Sequence, residues 1–400
     1  MIWSCSFQIL ELKIDKTIKL IYAKQRKTQK DIDFITDLEY NIIIKTRSDK
    51  CDIRYGTNPN ITKLLKINPF SFPDDILVSE HIDRLVEIFN VCWPMYAAMP
   101  AILKDAVIRA YESCGWDIDT SKNTYRIFPN FSDVLREIRN VLAESEYSAD
   151  NKGDYTGALV ARIKSLTNGI NGHIFSGEEV SETALFDKNV IVDLSRVGST
   201  ETKSLIMGLL VMKLQEYRLS QGKPDNGKLK HITVLEEAHN LLKRTSTEQS
   251  SETSNLLGKS VELIANSIAE LRSFGEGFII ADQSPGLLDM SVIRNTNTKI
   301  IHRLPDFSDR ELVGKAASLN DEQIIELAKL PVGVAAVYQN DWISPVLCKV
   351  EEYTDKNEYN NENNSSLIAP PNVHKAMIDI IIKPNEYIKL NDNEIRMSAI

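Results

Sequence analysis

Between Asn189 and Val350 short apolar runs alternate with longer segments of helical periodicity, and few folds accept that rhythm. Val190-Ile191-Val192-Asp193-Leu194 reads as a strand. A helix capped by Ser199 or Thr200, with Lys203 in its first turn, follows to about Leu219. A second strand covers 231–236, and a helix from about Asn255 to Phe274 is closed by Gly275 and Gly277. Phe278–Asp282 and Lys299–Arg303 read as two more strands. Helices near 308–317 and 321–329 lead to a closing hairpin, 332–338 with 346–350. Strands separated by helices predict an α/β fold with a doubly wound, mainly parallel sheet.

The chain ahead of this region has a different rhythm. From Asp74 to about Ser148 it is helical, with apolar positions recurring on one face. His81–Phe89 places Ile82, Leu85, Val86 and Phe89 together, and Ser132–Leu142 does the same with Val134, Leu135, Ile138, Val141 and Leu142. Ala97–Cys114 has Pro100 near its start and Gly115 as its stop, and Thr156–Leu166 is capped by Thr167-Asn168-Gly169. Leu64–Phe70 reads as a short strand ended by proline, and Ile42–Ile44 as another. The Lys- and Arg-rich run from Lys13 to Lys30 fits a solvated helix face better than a phosphate-binding one. The polar, Asn-rich stretch 357–366 reads as a linker. These shifts divide the chain into a divergent segment 1–56, a core 57–350 with a helical insertion at about 74–170, and a linker and tail 351–400.

A net charge of −9 excludes a chain coated in basic residues, though not a local basic groove. The scattered cysteines, Cys5, Cys51, Cys92, Cys114 and Cys348, form no CxxC pair, which suits a reduced, cytoplasmic protein without a structural metal. No apolar run reaches the roughly 18–20 residues of a membrane span.

The chemistry concentrates in His231-Ile-Thr-Val-Leu-Glu-Glu-Ala-His-Asn240. An apolar strand ends in two carboxylates, and ligands of open α/β sheets bind at the carboxyl ends of strands. One carboxylate can hold the Mg²⁺ that bridges phosphate oxygens while the other polarises an attacking water, the Walker B layout with Glu in place of the usual first Asp. An acidic surface loop after a strand would carry the same letters. Three further strand ends are polar: Asp193-Leu194-Ser195, Asp282-Gln283 and His302-Arg303. Gln283 is placed to orient a water or sense a γ-phosphate. Arg303 or Arg272 could offset transition-state charge, in cis or across a subunit boundary, although Arg272 could instead pair on the surface with Glu270 or Glu276.

Ala269–Pro285, Ile293–Arg303 and Leu235-Glu-Glu-Ala-His-Asn240 together resemble the HerA-type ATPases, hexameric P-loop DNA translocases and helicases related to the FtsK pumps and conjugation ATPases. Ile67-Asn-Pro-Phe70 and the helices after it resemble the insertion such proteins carry in a RecA-like core. The resemblance spans roughly 57–350. It implies Glu236 as the Mg²⁺-side carboxylate, Glu237 as catalytic base, Gln283 as sensor and arginines such as Arg303 near a subunit boundary. It further implies ATP as substrate, double-stranded DNA as partner, a ring-shaped homo-oligomer, and a nuclease or other effector alongside.

One departure stands against the matches. The family's G-x-x-x-x-G-K-[ST] phosphate loop, whose backbone N–H groups cradle phosphates, does not occur in this sequence. Gly258-Lys259-Ser260 has its last three letters, but Thr253 stands where the first Gly belongs, and a helix is expected there. In Gly222-Lys223-Pro224 a proline follows the lysine. Three expectations remain: a truncated or degenerate motor, a split protein whose other half is a separate chain, or an inactive structural subunit of a ring. A metal-dependent nuclease built on Asp193, Glu236 and Asp282 has carboxylates but no supporting motif.

Overall fold

The computed structural model describes residues 10–11, 41–42, 45–46, 53–93, 95–222, 229–244 and 256–350. The Lys-rich run 13–30 and the Asn-rich linker lie outside the described residues. Of Ile42–Ile44 only Ile42 falls inside, in a two-residue strand Asn41–Ile42.

The helical region closes first. Helices α1 (Val78–Cys92), α2 (Met99–Ser113) and α3 (Phe131–Glu144) present their apolar stripes to one another. Pro100 sits in the first turn of α2, where its missing N–H costs nothing. Asn130 and Asp133 form a reciprocal capping box at the start of α3, worth about 1 kcal/mol. Phe70 meets Phe131 edge-on at 5.1 Å, and Phe89 stacks on Trp93 at 4.7 Å. Each such pair adds about 0.5–1.5 kcal/mol beyond the area it buries. A further helical run from Ala149 to Thr167 contains a π turn at Thr156–Val160 and starts earlier than its periodicity suggests.

The expected strand Leu64–Phe70 is only Lys63–Leu64. Beyond it the chain runs irregularly, and side chains take its carbonyl oxygens one after another. His81 Nε2 donates to Pro69 O (3.1 Å), Tyr111 OH to Phe70 O (2.5 Å), Lys213 Nζ to Ser71 O (3.2 Å) and Arg126 Nη2 to Phe72 O (2.6 Å). Acceptors spent this way cannot join a ladder.

Two of those donors belong to a buried charge network. His81 and Glu216 are both 0% exposed and joined at 3.0 Å through Nδ1. The partners of the two His81 ring nitrogens are a carboxylate and a carbonyl oxygen. Arg84 reaches Glu216 at 3.3 Å, and Lys213 pairs with Glu179 at 2.8 Å. Glu216 lies on α4 (Thr200–Ser220), which is capped by Ser199, one of the two residues the sequence offers.

The strands form separate ladders among the described residues. β1 (Ile53–Gly56) lies between β2 (Lys63–Leu64) and β3 (Val190–Asp193), all parallel. β4 (His231–Glu236) and β5 (Glu276–Ala281) form a parallel pair in register from His231↔Glu276 to Glu236↔Ala281. β6 (Thr298–Ile301) runs antiparallel to β7 (Val334–Gln339), which pairs with β8 (Val346–Val350) as the expected hairpin. Helix α5 (Leu256–Leu271) links the β4 and β5 regions and packs on α1.

Candidate functional site at the carboxyl ends of two parallel strands

β4 is an apolar run that stops at Glu236, and the backbone then turns sharply. Glu237 adopts left-handed φ/ψ of 49° and 48°, unusual for a residue with a Cβ. Ala238 follows fully buried and anchors the turn in the core. The Glu237 carbonyl accepts from Asn240 twice, through N (2.9 Å) and Nδ2 (2.8 Å). The turn thereby lifts the Glu237 side chain out, leaving it 46% exposed.

The parallel register sets Asp282, the residue after β5, beside this turn. Its side chain is 3% exposed. Oδ2 accepts from His239 N and His239 Nδ1, each at 2.9 Å, and Oδ1 accepts from Ser284 N at 2.9 Å. His239 Nδ1 also lies 3.5 Å from Glu237 Oε2. Asp282 and His239 thus tie the loop of Glu237 to the loop of Gln283, which is exposed between Asp282 and Ser284. His239 carries no role in the sequence reading. Its signal was its place two residues after the second carboxylate.

Partial burial raises the Glu236 carboxyl above its ordinary value, and the neighbouring Glu237 adds to the shift. Glu236 accepts no hydrogen bond among the described residues, so its oxygens are available to a hard cation or its waters. That donor chemistry fits the Mg²⁺ side of a phosphate site.

Other sequence candidates lie apart. Arg303 is exposed two residues past β6, and among the described residues no hydrogen bond or ion pair joins it to Glu236, Glu237 or Gln283. Arg272 is exposed at the end of β5 opposite Asp282, a strand length of roughly 20 Å away. Glu276, one of its two suggested surface partners, is instead held by Arg218 (3.1 Å), His231 (2.5 Å) and Thr233 (2.8 Å). Asp193 ends β3 in an ion pair with Arg54 at 2.6 Å. Burial pushes its carboxyl up, but bonds from Ser195 and Arg54 outweigh this and lower it. Gly258-Lys259-Ser260 lies inside α5, with Ser260 buried and donating to Glu87 of α1, so it serves helix packing.

No protein-family model matches the chain. It is similar to the DNA double-strand break repair helicase HerA of Sulfolobus acidocaldarius, 29% identical over 182 residues, covering 45% of this chain and 34% of that protein. The HerA of Sulfurisphaera tokodaii is 23% identical over 294 residues, 73% of this chain and 55% of its own length. The chain therefore spans between about a third and just over half of these relatives. VirB4 of Thermoanaerobacter pseudethanolicus superposes with a TM-score of 0.54 over 72% of this chain and 74% of that one, at 16% identity. The α/β fold is shared with VirB4, and the sequence is similar to that of the HerA helicases.

Proposed function

We propose that this chain, given its kinship with HerA, carries the hydrolytic edge of an ATP-dependent DNA translocase motor. The observation behind the reading is the pair Glu236–Glu237 closing one parallel strand beside Asp282-Gln283 closing the next. Glu237, exposed on its left-handed turn, is positioned to take a proton from a water. Gln283, on a loop fixed by Asp282, is positioned to orient that water. Glu236 would hold Mg²⁺, which when bound neutralises phosphate charge. Arg303 and Arg272, both exposed and away from the carboxylates, suit contact with a neighbouring subunit's nucleotide better than with their own. The reading includes a hexameric ring around double-stranded DNA, a nuclease or similar effector as partner, and the cytoplasm as location. In keeping with that, no helix among the described residues is long and apolar enough to cross a membrane.

A second reading, an inactive structural subunit of a ring, is favoured by one observation: the sequence holds no G-x-x-x-x-G-K-[ST] loop. Titration calorimetry of the 400-residue chain with ATP and Mg²⁺, followed by turnover assays, separates the two. On the motor reading ATP binds, and Glu237→Gln keeps that affinity while lowering turnover about 10²–10⁴-fold. Retained turnover removes Glu237 as the base, and absence of nucleotide binding favours the structural subunit.

A further inference from the structure

Glu237, His239 and Asp282 each offer one ligand-type atom, and these atoms lie within 4.8 Å of one another. Two of the separations are 2.9 Å (His239 Nδ1 to Asp282 Oδ2) and 3.5 Å (His239 Nδ1 to Glu237 Oε2). A metal bound at about 2.1 Å to nitrogen and oxygen needs donor–donor edges of roughly 3.0–3.4 Å. These two separations lie within about 0.1 Å of that range and the third is under 4.8 Å, so side-chain rotation can bring the donors round an ion. The three donors come from two loops whose relative position is fixed by the β4–β5 register and by the bond from Ser284 N to Asp282. Asp282 is almost sealed while Glu237 and His239 are partly open, which gives a rigid floor and a path for entry.

We propose that Glu237, His239 and Asp282 form a binding site for a divalent transition ion of the Zn²⁺ or Co²⁺ class. The donor set is one imidazole nitrogen and two carboxylate oxygens, which together neutralise a dication. Imidazole favours Zn²⁺ and its neighbours, whereas Mg²⁺ takes oxygen donors and keeps its waters. This site is therefore chemically distinct from the Mg²⁺ position assigned to Glu236. The ion takes the place of the hydrogen bond that His239 Nδ1 now makes with Asp282 Oδ2. Occupancy holds the Glu237 carboxylate on the metal and withdraws it from water, so the site acts as a brake on any chemistry Glu237 performs.

The test needs neither nucleotide nor turnover, so its outcome is separate from that of the motor reading. Co²⁺ is titrated into the full chain and followed by its visible d–d absorption, with Zn²⁺ competition by calorimetry. The expected result is one ion bound per chain, displaced by Zn²⁺ and not by Mg²⁺ in large excess. His239→Ala and Glu237→Gln are each expected to weaken binding by about 100-fold or more, in line with the cost of losing a metal contact. Thermal midpoints of both variants check that they fold, and because Glu237 is half-exposed its variant keeps the readout if His239→Ala does not fold. Lack of Co²⁺ binding by the wild-type chain, or binding that both folded variants retain, overturns the proposal. Displacement by Mg²⁺ as effectively as by Zn²⁺ also overturns it.

Discussion

Ile138 in α3 is completely sealed, whereas Ile279 in the middle of β5 is only half-buried, although the two side chains are identical. The contrast holds across both regions. The helical region packs Phe70, Phe89, Phe131 and Tyr111 against one another at full burial. The β4–β5 pair is as apolar in sequence, yet Ile232, Val234, Phe278, Ile279 and Ile280 all keep partial access to solvent. Parallel strands with continuous apolar sequence are ordinarily covered on both faces. The helices complete their own core. The strands carry more apolar surface than the described residues cover.

Substitutions within the buried charge network should break this contrast most severely. Glu216→Ala leaves Arg84 and the buried His81 without the carboxylate between them, and the expected loss is about 3–5 kcal/mol in a denaturant titration. A loss below about 1 kcal/mol would mean that water enters the network in solution. The same group sets an acid limit. Burial pushes the Glu216 carboxyl up, but His81, Arg84 and Lys213 outweigh this, so its folded value lies below the ordinary 4.5. A depressed carboxyl contributes stability that is present above its unfolded value and lost as pH falls through the folded one. Stability should therefore fall more steeply with acid below about pH 4.5 in the wild-type chain than in Glu216→Gln.

The paired isoleucines sharpen the comparison directly. Ile138→Ala should cost about 2–5 kcal/mol, the usual range for a sealed site. Ile279→Ala should cost less, since part of its side chain still meets water. Equal losses would show that β5 is covered in solution as thoroughly as α3. The smallest effect belongs to Arg54→Ala. It removes an exposed ion pair with Asp193 and should change stability by less than about 1 kcal/mol.

Much of the strand architecture is legible because apolar runs bounded by charge or turn residues have few alternatives. Val190–Asp193, His231–Glu236 and Val346–Val350 lie where their letters predict. β5 begins at Glu276, earlier than the apolar signal, because a salt-bridged, buried glutamate occupies its first position. The carboxylate pair was legible for the same reason as its strand. The Asp282–His239 tie was not, because it depends on a register between strands some 40 residues apart in sequence. His81 escaped notice because periodicity counts apolar residues. It shares a helix face with Leu85 and Phe89, and only its partners, Glu216 and the Pro69 carbonyl, make that face hospitable to a charge.

The capped carbonyls of Pro69 to Phe72 have a consequence for solubility. A stretch as greasy as Leu64–Phe72, left extended, would be a template on which another chain could lay a strand. Here four side chains from across the helical core hold its oxygens, so the folded molecule offers no row of free acceptors to copy. Any substitution that loosens His81 or Lys213 would turn a locked segment into a sticky one, and aggregation would then begin at this place.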